Sequence, residues 1–190
     1  MRTLFNISPI FNCDCYVADY SELTNNNKKV VISTVPFTDI SYFHFHKKRK
    51  QDNIPYLAVN LEEYPHLIKG SENCECVFQA ISDIPNTWIM LLELKYCKAE
   101  NTETYGYKAY SQMDRTLSLL EKWGCADRHV NNVYFVYSVP EHPEKEPFGA
   151  WTLSQNDTLK GIEASGIHML GYCRMLIATP RFLFPPKIRE

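Results

Sequence analysis

A chain of 190 residues with 45% hydrophobic and 22% charged residues is long enough to bury its own core, and its composition is that of a single globular domain. A formal net charge of −2 gives no global pull toward nucleic acid, so any phosphate binding must come from a local basic patch or a metal. No apolar run reaches the roughly 18–20 residues of a spanning helix, residues 1–13 (MRTLFNISPIFNC) are too polar for a secretory signal, and seven cysteines without small-scaffold density suit a reducing compartment, so a cytoplasmic protein with no membrane partner is expected.

In chain order, Asn12 to Tyr20 and Lys28 to Val35 flank a polar loop and predict a hairpin closed by Pro36. Asp14 within NCDCYVADYSEL stands where Glu75 stands in the similar stretch NCECVFQAISDI; two strands of like pattern account for the match better than a duplication. Phe37 to Gln51 begins with Thr38 and Asp39 as helix caps and ends in a basic run, which predicts a helix, although Phe43 and Phe45 alternating with His44 and His46 suit a strand equally well. Tyr56 to Leu61 is a strand, ended by Tyr64-Pro65 before a Gly70-Ser71 turn.

Trp88 to Leu94 is a nearly unbroken apolar run, the pattern of a strand covered on both faces, yet Glu93 and Lys95 sit at its end. Alternation puts both on one side. Glu75, between Cys74 and Cys76, lies one hairpin earlier, and Asp83-Ile84-Pro85-Asn86 supplies the turn that brings Glu75 and Glu93 onto neighbouring strands. After the polar stretch Lys98 to Thr104, Met113, Leu117, Leu120 and Trp123 form a helical stripe stopped by Gly124, with Gln112 and Arg115 beside it. Asn132 to Val139 is a strand, Glu141 to Pro147 a loop, Asp157 to Ala164 and Ile167 to Ile177 candidate helices, and Pro180 to Glu190 an extended tail.

Two carboxylates and a lysine converging at the edge of an apolar sheet are costly unless compensated, and a divalent cation is the natural compensator. At these residues the chain resembles the PD-(D/E)xK nuclease superfamily, the restriction-endonuclease-like fold. Glu75 takes the first acidic place, Glu93-Leu94-Lys95 the acid-x-Lys, and Gln112 the glutamine of the following helix. The match spans residues 73–112 directly; it departs from the family in having Glu instead of Asp at the first acid and Tyr96 where many relatives carry Gly.

That resemblance implies an α/β domain with a central mixed sheet flanked by helices. Its αβββαβ core would span 37–140, with an N-terminal hairpin (1–36) and a C-terminal addition (141–190). It implies Mg²⁺ or Mn²⁺ held by Glu75, Glu93 and the carbonyl of Leu94, with Lys95 and Gln112 completing the catalytic set. The partner would be nucleic acid, DNA ahead of RNA, met by the basic run Lys47, Lys48, Arg49 and Lys50; a homodimer is allowed. Acid-x-Lys triplets are common by chance, and an exposed one is only a solvated ion pair. The alternatives are a non-catalytic member of the fold and, from another class, an interaction module stapled by zinc on Cys13, Cys15, Cys74 and Cys76. Alternation would instead turn these cysteines into the core. His44-x-His46 is a weaker metal pair among packing aromatics, and Tyr105, Tyr107 and Tyr110 suit core packing better than base stacking.

Overall fold

The computed structural model describes residues 8–21, 23–25, 29–47, 54–64, 73–141 and 166–185. Eleven strands and one long helix appear among them. The first sheet contains β1 (Ile10–Phe11), β5 (Tyr56–Asn60), β6 (Cys76–Ala80), β7 (Trp88–Leu94), β8 (Asn132–Ser138) and β9 (Ile167–Gly171), in the order β1-β5-β6-β7-β8-β9. Its β5, β6 and β7 run antiparallel, whereas β8 is parallel to β7 and β9 parallel to β8. A parallel β7–β8 pair needs a crossover, and the helix α1 (Thr102–Lys122) supplies it. The second sheet holds β2 (Cys15–Asp19), β3 (Val30–Ser33), β4 (Phe43–Lys47), β10 (Arg174–Ile177) and β11 (Leu183–Phe184), ordered β11-β10-β4-β2-β3.

Every residue of β7 is buried, because the first sheet is covered on both sides. Ile89 and Leu91 pack with Ala109, Met113, Leu117 and Leu120 of α1. Trp88, Met90, Leu92 and Leu94, on the other face, pack with Phe43, Phe45, Cys15 and Val17 of the second sheet. The chain is therefore layered as helix, sheet, sheet. Phe45 sits at the middle of the inter-sheet core, its ring 5.2 Å from those of Tyr56 and Phe78 and 5.5 Å from Trp88. α1 ends where expected. Gly124 takes φ +67°, its N–H donates to the carbonyl of Glu121, and Cys125 N–H donates to that of Leu120, a Schellman closure that only a residue without Cβ enters freely.

The hairpin expected in the first 36 residues is present as β2 and β3, paired antiparallel with Tyr16 opposite Ser33. The helix expected over 37–51 is instead β4 over Phe43–Lys47. Inward Phe43 and Phe45 alternate with outward His44 and His46, and the inter-sheet core rewards that period of two. The helix expected over Ile167 to Ile177 is two strands, β9 and β10, one in each sheet, with Gly171 closing the first. The α/β class and the mixed central sheet stand, but one face of that sheet carries a second sheet in place of helices. No described helix is long and apolar enough to cross a membrane. The segments 157–164 and 65–72 and residues 48–50 lie outside the described residues.

Candidate active site

The elements around Glu75 are fastened to α1. Gln112 Nε2 donates to the carbonyl of Asn73 at 3.1 Å, and Thr116 Oγ1 accepts the N–H of Cys74 at 3.0 Å. These bonds draw residues 73–75 toward the helix, so regular pairing of β6 begins only at Cys76. Cys74 consequently joins the helix-side core while Cys76 enters the inter-sheet core, so both are buried as alternation predicts but in two different cores. Cys13 is exposed, and none of the seven cysteines is in a disulfide. The four thiols of the zinc alternative thus fall in three different environments.

Glu75 stays beside the end of β7. Its N–H donates to the carbonyl of Leu92 at 3.2 Å and to Glu93 Oε2 at 3.2 Å, while its own Oε2 accepts the N–H of Leu94 at 3.0 Å. The other Glu93 oxygen, Oε1, receives the ammonium of Lys95 in a short ion pair. Glu93 is fully buried and Glu75 nearly so. Gln112 is also buried, inside the helix face and not beside it, and its side chain reaches the Glu93 carboxylate. Glu75, Glu93, Lys95 and Gln112 therefore meet at one place, where β6, β7 and α1 converge.

Two carboxylates face a single ammonium there. Burial pushes the Glu75 carboxyl well above the ordinary carboxylate range, and the charge of Glu93 pushes it further, against the pull of Lys95 and the Leu94 N–H. Glu93 is also raised by burial, opposed chiefly by Lys95. Burial alone would lower Lys95, yet the charges of Glu93 and Glu75 outweigh it and its pKa is raised. With both carboxyls ionised, the cluster would hold two negative charges against one ammonium, and burial together with that imbalance raises Glu75. Among its buried polar atoms, Gln112 Oε1 and Asn73 Oδ1 have no hydrogen-bond partner.

Two nearby residues were given no role at the site by the sequence. Asp19, at the end of β2 in the other sheet, lies close enough for its charge to raise both Glu75 and Lys95, and Ser21 N–H and Oγ both donate to its Oδ1. Tyr96 O–H donates to the carbonyl of Ser41 at 2.6 Å and accepts the N–H of Asp19 at 3.4 Å, holding the second sheet against the site. Both effects depend on pairings between distant segments, for which local pattern offers no cue.

Of the basic run, Lys47 is buried, with its ammonium donating to Asn12 Oδ1 at 2.6 Å and to the Asn12 carbonyl at 3.3 Å. Lys48, Arg49 and Lys50 are outside the described residues. Tyr110 packs against Phe135 at 5.8 Å, whereas Tyr105 and Tyr107 are exposed. No family model matches the sequence, and no curated protein and no solved structure matches it.

Proposed function

We propose that the protein is a divalent-cation-dependent nuclease that hydrolyses phosphodiester bonds, with Glu75, Glu93, Lys95 and Gln112 as its working set. The observation that carries this reading is the buried cluster of two carboxylates, one ammonium and an orphaned amide oxygen at the end of β7. A structural ion pair would be better served by balanced charge, since taking an uncompensated carboxylate out of water costs several kcal/mol. The element order lends support: three antiparallel strands, a crossover helix and a strand parallel to the third correspond to the βββαβ part of the restriction-endonuclease-like core.

The donor set fits Mg²⁺ or Mn²⁺, being oxygen only and carboxylate-rich. Glu75 and Glu93, with the carbonyl of Leu94, would hold the ion. When bound, it would polarise the scissile phosphodiester and acidify a water for attack. Lys95, released from part of its attraction to Glu93, would offset charge building on the phosphate. Gln112, anchored through Nε2 to Asn73, leaves Oε1 to orient the water or a phosphate. Glu93 is fully buried, whereas Glu75 and Lys95 keep some exposure, so water and a phosphate would approach from their side.

Purified protein incubated with single- and double-stranded DNA and RNA, with Mg²⁺ or Mn²⁺, tests this. Cleavage is expected, DNA ahead of RNA, with loss of at least about 100-fold in Lys95→Ala and in Glu93→Gln, the second variant keeping the side-chain shape. Cleavage that persists in both variants overturns the mechanism. A folded protein inert on all four substrates favours the non-catalytic alternative, in which the Lys95–Glu93 pair is structural.

A further inference from the structure

Away from the acidic cluster, the outer face of the second sheet carries a second group of metal-ligating side chains. His44 and His46 alternate outward from β4 while Phe43 and Phe45 fill the core behind them. In the antiparallel β2–β4 register Cys15 lies opposite Phe45, so Asp14, one residue before β2, arrives beside His46. Asp14 Oδ2 lies 3.2 Å from His44 Nε2 and 2.8 Å from His46 Nδ1. Among the described residues these three are the group whose ligand atoms all lie within 4.8 Å of one another.

The two Asp14–imidazole separations fit a coordination shell. Bonds of about 2.0–2.1 Å to imidazole nitrogen and carboxylate oxygen place neighbouring ligand atoms roughly 3.0 Å apart at octahedral angles and 3.3 Å apart at tetrahedral angles. An ion can therefore replace the shared protons between Asp14 and the imidazoles with little movement of the main chain. The ligands are also held in place. Asp14 Oδ1 accepts the N–H of Lys47 at 3.0 Å, fixing the carboxylate, and the His44 ring stacks on Tyr16 at 4.6 Å and 12°.

Three protein ligands leave at least one position open, and the group is accessible: His46 is exposed, and Asp14 and His44 are partly so. His44 and His46 line a pocket of about 200 Å³ together with Arg174, Met175 and Leu176 of β10. Arg174 is opposite His44 in the parallel β10–β4 register, so a positive group stands next to the open side. Water or a small anion would complete the shell there.

We propose that Asp14, His44 and His46 bind a divalent first-row transition ion, with an exchangeable position facing the Arg174 pocket. Imidazole nitrogen selects Zn²⁺ and its neighbours over Mg²⁺, so this site and the all-oxygen cluster of Glu75 and Glu93 take different ions. The proposal is independent of the nuclease reading.

The test uses the full chain, stripped with a chelator and titrated with Zn²⁺, then with Co²⁺ followed by visible absorption. One equivalent of Zn²⁺ is expected, and the Co²⁺ form should show ligand-field bands without thiolate charge transfer. His46→Ala and Asp14→Ala should each weaken binding by about 100-fold or more, the upper range seen even for outer-shell partners. Glu93→Gln should leave it unchanged. His46 is exposed, so its variant should fold even where Asp14→Ala does not. Absence of stoichiometric Zn²⁺, binding that survives His46→Ala, or a thiolate band implicating Cys13 would each overturn the proposal.

Discussion

Glu75 is held at high pKa by burial and by its neighbour Glu93, and that has a measurable consequence for stability. A carboxyl whose folded pKa is raised contributes stability that is fully present below its ordinary value near 4.5 and is lost as pH rises through the folded pKa. Glu75→Gln removes the penalty while keeping an acceptor for the Leu94 N–H. The difference in unfolding free energy between Glu75→Gln and the wild type, both free of metal, should be near zero at about pH 4.5 and grow in favour of the variant toward neutrality. At pH 8 the variant should unfold at a higher temperature than the wild type. A fall in Tm would mean that the carboxylate is a stabilising partner. Lys95→Met should act in the opposite sense: it strands Glu93 without its cation and should cost about 3–5 kcal/mol at pH 8. The cost should shrink at pH 5, where Glu93 can take up a proton; denaturant titrations at the two pH values check this, and an equal cost at both contradicts it.

At the scale of elements, α1 both covers the first sheet and holds residues 73–75 in place through Gln112 and Thr116. Its end depends on Gly124, where an added Cβ would meet no neighbour but the backbone sits at φ +67°. Gly124→Ala should therefore cost about 1 kcal/mol through backbone strain alone, seen as a Tm lower by about 2–4 °C, with the proposed nuclease activity unchanged. A neutral substitution would contradict the assigned closure. α1, β5, β7 and β8 were legible in the sequence because each has a clear period or an unbroken apolar run with a firm stop, such as Gly124 or Pro140. β4 was not, because a strand of five residues followed by basic residues imitates the charged end of a helix, and only the core behind Phe43 and Phe45 decides between them. The run from Ile167 to Ile177 hid two short strands for a related reason. Its break at Tyr172–Cys173 separates partners in different sheets, and no local pattern announces that.

For the whole molecule, the second sheet is assembled from distant parts of the chain: the early hairpin β2–β3, then β4, then β10 and β11 near the end. Its inner face meets the first sheet through Phe45, Tyr56, Phe78 and Trp88, with Trp88 also donating Nε1–H to the carbonyl of Thr179 at 3.0 Å. Phe45→Ala should cost about 3–5 kcal/mol in denaturant unfolding, because it opens a cavity at the centre of that contact. A cost below about 1 kcal/mol would mean the sheets are only loosely packed. The same contact carries Asp19 and Tyr96 to the edge of the acidic cluster. Glu75, Glu93 and Lys95 could be picked from strand spacing and Gln112 only through the family resemblance, whereas the Asp14–His44–His46 group needed the pairing of β2 with β4 to bring its carboxylate in.

On the proposed reading, the buried cluster of Glu75, Glu93 and Lys95 receives a hard divalent cation that offsets its second carboxylate. Thermal unfolding of the metal-stripped protein against increasing Mg²⁺ at pH 7.5 reads this directly, since an ion that binds only the folded state stabilises it by RT ln(1 + [L]/Kd). Wild-type Tm should rise with Mg²⁺ while that of Glu75→Gln and Glu93→Gln stays flat. A wild type indifferent to Mg²⁺, or the same rise in both variants, would contradict it.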